Sequence, residues 1–423
     1  MMNGDEVEAL AVIGLGYVGL PLAREASRAG IPVIGFDVSE TVVSELAAGR
    51  SQVDDISDDD ISRMLADGFS PTLDAAALLP ATTYVICVPT PLSPGGGPDL
   101  AAVESASRAV AAALASGDLV VLESTTYPGT TEEFVAPILE QSGLRAGADF
   151  HLAFSPERID PGNPHYGLRN TPKVVGGIDE ASTAAACAFY EKVCNEVVPA
   201  KGAREAELAK LLENTYRHVN IALVNEMAQF CHELDIDFWD AIRLASTKPF
   251  GFQAFYPGPG VGGHCIPIDP NYLSHHVRSA TGQAFRFVEL AQEINAGMPA
   301  YVVRRAQGLL NEHGKAVNGS RVRLLGVTYK ANIADQRESP AVPVARGLLR
   351  LGADVTYWDP FVDAWQVDGV EVPRSQTAGW DQEGLDLLVL LQAHESLGIP
   401  TGEHRVPLLD TRGRAAGVAV ARL

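Results

Sequence analysis

Basic charge is scarce in this chain. Its 423 residues set 53 acidic side chains against 32 basic ones, a net charge of −21, and lysine is the rarer cation. Such a field repels nucleic acid, whose binding depends on Lys and Arg neutralising phosphates. Any phosphate must therefore be held locally, by backbone N–H groups or a few placed cations. Long hydrophobic runs are missing too: the longest stretch of large aliphatic side chains, Leu387 to Leu391, is far below the ~20 residues that cross a bilayer. The opening residues, MMNGDEVEAL, have neither the basic flank nor the apolar stretch of a secretory signal. The expectation is a cytoplasmic protein with no membrane or nucleic-acid partner. Cysteine is sparse and unpaired. Cys87, Cys187, Cys194, Cys231 and Cys265 are odd in number and lack zinc-like spacing, which suits reduced thiols.

What is present is an alternation of strand-like and helix-like patterns. Ala9 to Ile13 is a short apolar run, Tyr17 to Ala29 reads as a helix stopped by Gly30, and Pro32 to Phe36 is apolar again before Asp37. Continuous apolar runs at Tyr84 to Val88, Leu119 to Leu122 and His151 to Phe154 are separated by alanine-rich stretches, as in buried parallel strands. From Ala203 to Asp235 neither Gly nor Pro occurs, and Leu208, Leu211, Thr215, Val219, Leu223, Met227, Phe230 and Leu234 keep helical spacing. That is a long helix, joining domains and offering an oligomer interface, or a buried helix broken in two. After a second helical region ending near Asn311, Arg321 to Val327, Asp354 to Trp358 and Leu385 to Leu391 read as strands, with a helix over Pro340 to Leu351. The fold class expected is α/β, with two Rossmann-like doubly wound domains joined by a long central helix. The boundaries expected are 1–200, 201–312 and 313–423.

Three motifs carry chemistry. Gly14-Leu-Gly16-Tyr17-Val18-Gly19 follows a strand and opens a helix. There, glycines allow a tight turn, close approach of a pyrophosphate and close helix packing. Asp37 ends the next strand, where a carboxylate accepts both ribose hydroxyls and repels a 2′-phosphate, favouring NAD over NADP. A glycine turn without a ligand is the alternative. The loop from Gly258 to Asp269 delivers Cys265 beside His264. Next to an NAD site, a thiolate could add to an aldehyde and the adduct lose a hydride to give a thioester. A buried structural thiol and a His264–Cys265–Asp269 metal site remain open readings. On the long helix, Lys210 and Asn214 share a face, and with so few lysines in the chain Lys210 and Lys330 look chosen for a compact ammonium. A merely solvated lysine is the alternative.

Taken together, Gly14 to Gly19, Cys87-Val-Pro89-Thr90-Pro91, Glu123-Ser-Thr125, Ser155-Pro-Glu157-Arg158, Lys210 to Asn214, Gly262-Gly-His-Cys265 and Tyr329-Lys330 through Arg337-Glu-Ser339 strongly resemble the UDP-glucose/GDP-mannose dehydrogenase family, in order, from about residue 8 to 360. The resemblance implies four-electron oxidation of C6 of a nucleotide sugar with two NAD and no resident metal. It implies Cys265 as nucleophile, Lys210 and Asn214 as oxyanion donors and Asp269 with a water for proton transfer. Glu157 would be the base for thioester hydrolysis, and Thr125 would lie near cofactor and water. It implies Arg337, Pro89, Thr90, Tyr17 and Val18 near the cofactor, with the three motif glycines. Arg158, Lys330 and a cradle from Tyr256 through Gly258 and Gly260 to Gly262 would face the UDP-sugar, alongside Glu157, Lys210 and Asn214.

Two departures bear on substrate. Relatives using UDP-glucose commonly have lysine before the aspartate, where this chain has Ile268, and Pro-Glu-Phe-Leu where it has Pro156-Glu157-Arg158-Ile159. Both resemble the branch acting on UDP-N-acetylhexosamines, UDP-N-acetylglucosamine first, with UDP-N-acetylmannosamine, UDP-N-acetylgalactosamine and UDP-glucose as competitors. A homodimer or larger homo-oligomer through the central helix is expected. A catalytically silent nucleotide-sugar-binding protein is the reading from another class.

Overall fold

The computed structural model describes residues 9–53, 55–93, 97–160, 163, 165–263, 269–380, 383–399, 405–417 and 420–423. They fall into two compact units, Met1–Glu213 with Asn271–Ala280, and Asn214–Pro270 with Thr281–Leu423.

The first unit is built on an eight-stranded sheet. Its strands are β1 (Leu10–Ile13), β2 (Val33–Phe36), β3 (Ser70–Thr72), β4 (Thr83–Ile86), β5 (Leu119–Leu122), β6 (His151–Phe154), β7 (Lys173–Gly177) and β8 (Val197–Pro199), in the order β3-β2-β1-β4-β5-β6-β7-β8. Neighbours run parallel except β6 and β7. Every residue of β1, β4 and β5 is buried, because helices cover both faces and alternate side chains enter different cores. Leu10, Val12, Val85 and Val121 pack with Leu20 and Leu22 of the Gly19–Arg28 helix. Ala11, Ile13, Tyr84 and Val120 face the other way, toward Val103 and Val110.

The second unit holds a parallel sheet of β9 (Arg321–Leu325), β10 (Asp354–Trp358), β13 (Leu387–Leu390), β14 (Leu408–Asp410) and β15 (Val420–Arg422), in the order β10-β9-β13-β14-β15. A small hairpin of β11 (Gln366–Val367) and β12 (Val370–Glu371) sits beside it. In both sheets the order reverses at the first strand, β1 or β9, and ligands of open α/β sheets bind outside the strand ends at such points.

The long helix is continuous over Ala203–Glu233, not broken. Its buried line differs from the apolar stripe expected for it. Ala206, Glu207, Lys210, Leu211, Thr215, His218, Ala222, Asn225 and Ala228 are buried, whereas Leu208, Leu223, Phe230 and Leu234 are 42–64% exposed. Leu211 and Thr215 belong to both sets, but small residues that allow close packing and polar residues make up most of the inner line, so much of the hydrophobic stripe lies on the outer face. Among the described residues no helix is long and apolar enough to cross a membrane.

Candidate active site

In the first unit the three motif glycines have three different surroundings. Gly14 has φ +95°, and a Cβ there would lie 2.6 Å from the Cys87 carbonyl oxygen. At Gly19 it would lie 1.9 Å from the Gly14 carbonyl oxygen, so the helix start rests directly on the turn. A Cβ at Gly16 would meet nothing within 4 Å, so that side of the turn is open to a pyrophosphate. Tyr17 and Val18 are half-buried beside it. The Asp37 carboxylate accepts the N–H of Leu15 on Oδ2 and of Ser39 on Oδ1, both at 2.9 Å. It is half-buried and keeps lone pairs for a diol. Pro89 is exposed and Thr90 buried, the carbonyl of Thr90 accepting the Tyr272 hydroxyl.

Behind the ends of β5 and β6 lies a buried charged cluster. Lys173, at the start of β7, places Nζ 2.8 Å from Glu123 Oε1 and 3.7 Å from Glu157 Oε2. The Tyr190 hydroxyl donates to Glu123. Burial alone would lower the Lys173 pKa, but the two carboxylates hold it above its ordinary value. Burial raises Glu123 despite Lys173. Glu157 accepts the N–H of Ile159 on Oε1, while its Oε2 is buried without a hydrogen bond. Its main-chain carbonyl accepts Lys210 Nζ. Arg158 is engaged by Glu213 at 2.8 Å, and Thr125 is half-buried next to Ser124, whose hydroxyl donates to the Val88 carbonyl at 2.7 Å.

In the second unit Asn214 Nδ2 donates to Asp269 Oδ2 at 2.5 Å. Cys265, His264 and Ile268 lie outside the described residues. All four described cysteines, Cys87, Cys187, Cys194 and Cys231, have thiols raised by burial, and such thiols are poor nucleophiles. The glycine-rich loop is more tightly packed than an open cradle would be. A Cβ at Gly262 would sit 2.7 Å from the Glu338 carbonyl oxygen, and one at Gly263 2.7 Å from the Tyr329 ring. The Gly258 N–H donates to Asn225 Oδ1 at 2.9 Å, and Tyr256 stacks on Trp239 at 5.7 Å. Gly260 borders a cavity of about 510 Å³ that Val261, Asn295 and Pro340 also line. Lys330 is half-buried, and Arg337 is paired with Asp335 at 2.5 Å.

Sequence reasoning missed several residues. Lys173 is one of the few lysines, and the scarcity that singled out Lys210 and Lys330 applies to it equally. Arg412, half-buried, would touch a Cβ on Gly258 at 3.2 Å and donates Nε to the Leu391 carbonyl at 2.7 Å; burial lowers its pKa to about 10, so it stays cationic. Glu207 accepts the N–H groups of Gly129 and Thr131 at 2.6 and 2.9 Å, and nothing in the sequence pattern marks it.

The UDP-glucose/GDP-mannose dehydrogenase family matches this chain in three parts: its NAD binding domain over residues 8–194, its central domain over 204–297 and its UDP binding domain over 323–412. The chain belongs to this family. It is 37% identical, over 84% of its length and 83% of the relative's, to UDP-N-acetyl-D-glucosamine 6-dehydrogenase of Pseudomonas aeruginosa. It is 34% identical, over 92% and 87%, to UDP-N-acetyl-D-mannosamine dehydrogenase of Methanococcus maripaludis. Among solved structures, UDP-D-ManNAc dehydrogenase from Pyrococcus horikoshii superposes with a TM-score of 0.85 at 32% identity, covering 97% of this chain and 99% of that one. The protein is thus an NAD-dependent nucleotide-sugar dehydrogenase. The open side of Gly16 and the half-buried Asp37 fit NAD, the one receiving pyrophosphate and the other ribose.

Proposed function

We propose that this dehydrogenase oxidises C6 of a UDP-N-acetylhexosamine, UDP-N-acetylglucosamine first, from alcohol to carboxylate without releasing the aldehyde. NAD supplies the hydride acceptor for each of the two oxidations. The chain's own residues do the rest. The Cys265 thiolate adds to the aldehyde carbon; after the second oxidation the C–S bond belongs to a thioester, and water cleaves it, returning the thiol. Lys210 and Asn214 stabilise the oxyanions, where fixed donors in a dry site are worth most. Asp269, held by Asn214, serves proton transfer through water, and Thr125 lies with the cofactor. The observation that carries the reading is at Glu157: its Oε2 is buried without a hydrogen bond while its carbonyl holds the Lys210 ammonium. A base that must take a proton from water needs an oxygen not already committed to a hydrogen bond; the Lys173 ammonium, 3.7 Å away, is the charge this oxygen faces. The upward-shifted thiols of the four described cysteines support assigning the nucleophile to Cys265.

In this reading residues 1–200 hold NAD, 201–312 carry the catalytic loop, and 313–423 hold the UDP-sugar through Lys330 and the loop from Tyr256 to Gly262. The exposed Leu223, Phe230 and Leu234 support a homo-oligomer through the long helix. UDP-N-acetylmannosamine is the second reading, supported by the relatives that carry that name. The test is NADH formation against UDP-glucose and the UDP-N-acetyl derivatives of glucosamine, galactosamine and mannosamine. Two NADH per sugar and highest kcat/KM for UDP-N-acetylglucosamine are expected; one NADH per sugar would overturn the mechanism, and preference for UDP-glucose the substrate class.

A further inference from the structure

The turn after β9 repeats the turn after β1. Gly326 has φ +73° and Gly14 +95°. The Gly326 N–H donates to the Trp358 carbonyl at 3.0 Å, as that of Gly14 donates to Phe36 at 2.8 Å. At the end of β10, Asp359 accepts the N–H of Val327 on Oδ2 at 2.7 Å and of Phe361 on Oδ1 at 2.8 Å, the same pair of bonds that Asp37 makes with Leu15 and Ser39. There the likeness stops. Asp359 is fully buried, and His394 Nε2 lies 3.0 Å from its Oδ2. No ribose can reach it.

The other edge of that imidazole faces the substrate segment. His394 Nδ1 accepts the N–H of Asn332 at 2.9 Å. A backbone N–H can only donate, so Nδ1 carries no proton in this arrangement and Nε2–H points at Asp359. Thr328 Oγ1, 3.3 Å from the same Nε2, donates to the Lys330 carbonyl at 2.7 Å. Asn332 has φ +65°, a left-handed conformation that asparagine adopts more readily than other non-glycine residues. Its Oδ1 accepts the Glu395 N–H at 2.9 Å, and Gln392 Nε2 donates to the Tyr329 carbonyl, also at 2.9 Å. The short stretch from Gln392 to Glu395 therefore grips the Val327 to Asn332 segment at several points, with His394 in the middle.

We propose that His394 is a positioning residue for nucleotide-sugar binding. It converts a turn with dinucleotide geometry into a fixed mount for Tyr329 and Lys330. The inference rests on the reading above that Lys330 faces the UDP-sugar.

The test uses the full-length enzyme with His394→Phe, which fills the space without bonding, His394→Asn, whose Oδ1 can replace the Nδ1 acceptor, and Lys330→Ala. UDP affinity is measured by calorimetry beside KM, kcat and NAD affinity. His394→Phe is expected to raise Kd for UDP and KM for the sugar nucleotide about tenfold, the size set by a backbone donor losing its acceptor. The loss falls on KM rather than kcat, NAD affinity stays unchanged, and His394→Asn recovers part of it. The effect should also shrink in a Lys330→Ala background, since both act through one contact. If Lys330→Ala weakens UDP binding and His394→Phe does not, the positioning role is overturned while the substrate reading stands. If Lys330→Ala has no effect, that reading of Lys330 falls and the inference with it. Equal loss of NAD and UDP affinity in His394→Phe would reduce His394 to a general structural part and overturn the proposal.

Discussion

The turns after β1 and β9 share a left-handed glycine, a carbonyl contact across to the next strand and an aspartate bonded to two backbone N–H groups, yet one is open and the other closed. At Asp37 the carboxylate stays half-buried with room for a ligand. At Asp359 an imidazole fills that room and passes the connection to a different segment. The lesson is that backbone geometry specifies the turn, and a single side chain arriving from β13's far end decides whether the turn reads a ribose or braces a neighbour.

The largest effects should come from the glycines. A Cβ at Gly326 would meet the Gln392 carbonyl oxygen at 2.2 Å and one at Gly14 the Cys87 carbonyl oxygen at 2.6 Å, in both cases at positive φ. Gly326→Ala and Gly14→Ala should each lose about 3 kcal/mol or more in urea unfolding. Gly16→Ala, with open space around it, should change stability by less than about 0.5 kcal/mol and weaken NAD instead. A Gly326→Ala enzyme as stable as Gly16→Ala would break the comparison.

Next come the aspartates. Asp359→Ala strips the acceptor from two N–H groups and the ring of His394 and should cost about 3 kcal/mol of stability. Asp37→Ala should cost less and raise the KM for NAD about tenfold through the lost ribose bonds. Equal stability losses with no change in NAD affinity would remove Asp37 from the cofactor site. Burial pushes the Asp359 carboxyl up, but the hydrogen bonds from His394 and from the two N–H groups outweigh it and hold it below the usual carboxylate range. Its contribution is present at neutral pH and is lost as pH falls through that lowered value.

The smallest contrast is in opposite pH slopes on one helix. Burial raises Glu207 to about 7, so the folded first unit holds a proton that the unfolded chain releases, and stability falls as pH rises from about 4.5 to 7. Burial lowers His218 to about 4; there the unfolded chain gains the proton first, and stability falls as pH drops from about 6.5 to 4. Each slope is worth about 2 to 3 kcal/mol. Thermal midpoints of Glu207→Gln and His218→Gln across pH 4 to 7.5 should each lose one slope and keep the other; parallel curves for both variants and the parent would show that neither group titrates as its burial implies.

Much of this was legible in the chain itself. The apolar runs ending at Ile13, Phe36, Leu122 and Phe154 became strands because fully buried parallel strands need no alternation, and the glycine turn with Asp37 reads directly as a cofactor motif. Strands β3, β8, β14 and β15 were missed because they are only three residues long, too short to stand out as apolar runs; β7, at five residues, was missed because it opens on the charge of Lys173 and ends on two glycines. Along Ala203–Glu233 hydrophobicity located the buried line only in part: Leu211 and Thr215 lie on it, but most of its other members are alanines and polar residues, while Leu208, Leu223 and Phe230 are exposed. His394 escaped notice because its meaning lies in three partners, at Thr328, Asn332 and Asp359, that only folding brings together.

That inner line also sets a rule of length. Glu207, Lys210, Asn214 and His218 recur every three or four residues, so at about 100° per residue they stay within one quadrant of the helix. A loop can gain or lose a residue and close again. Here a single insertion between Glu207 and His218 would turn every later member away from its partners, so in related sequences this stretch should admit substitutions but no gaps.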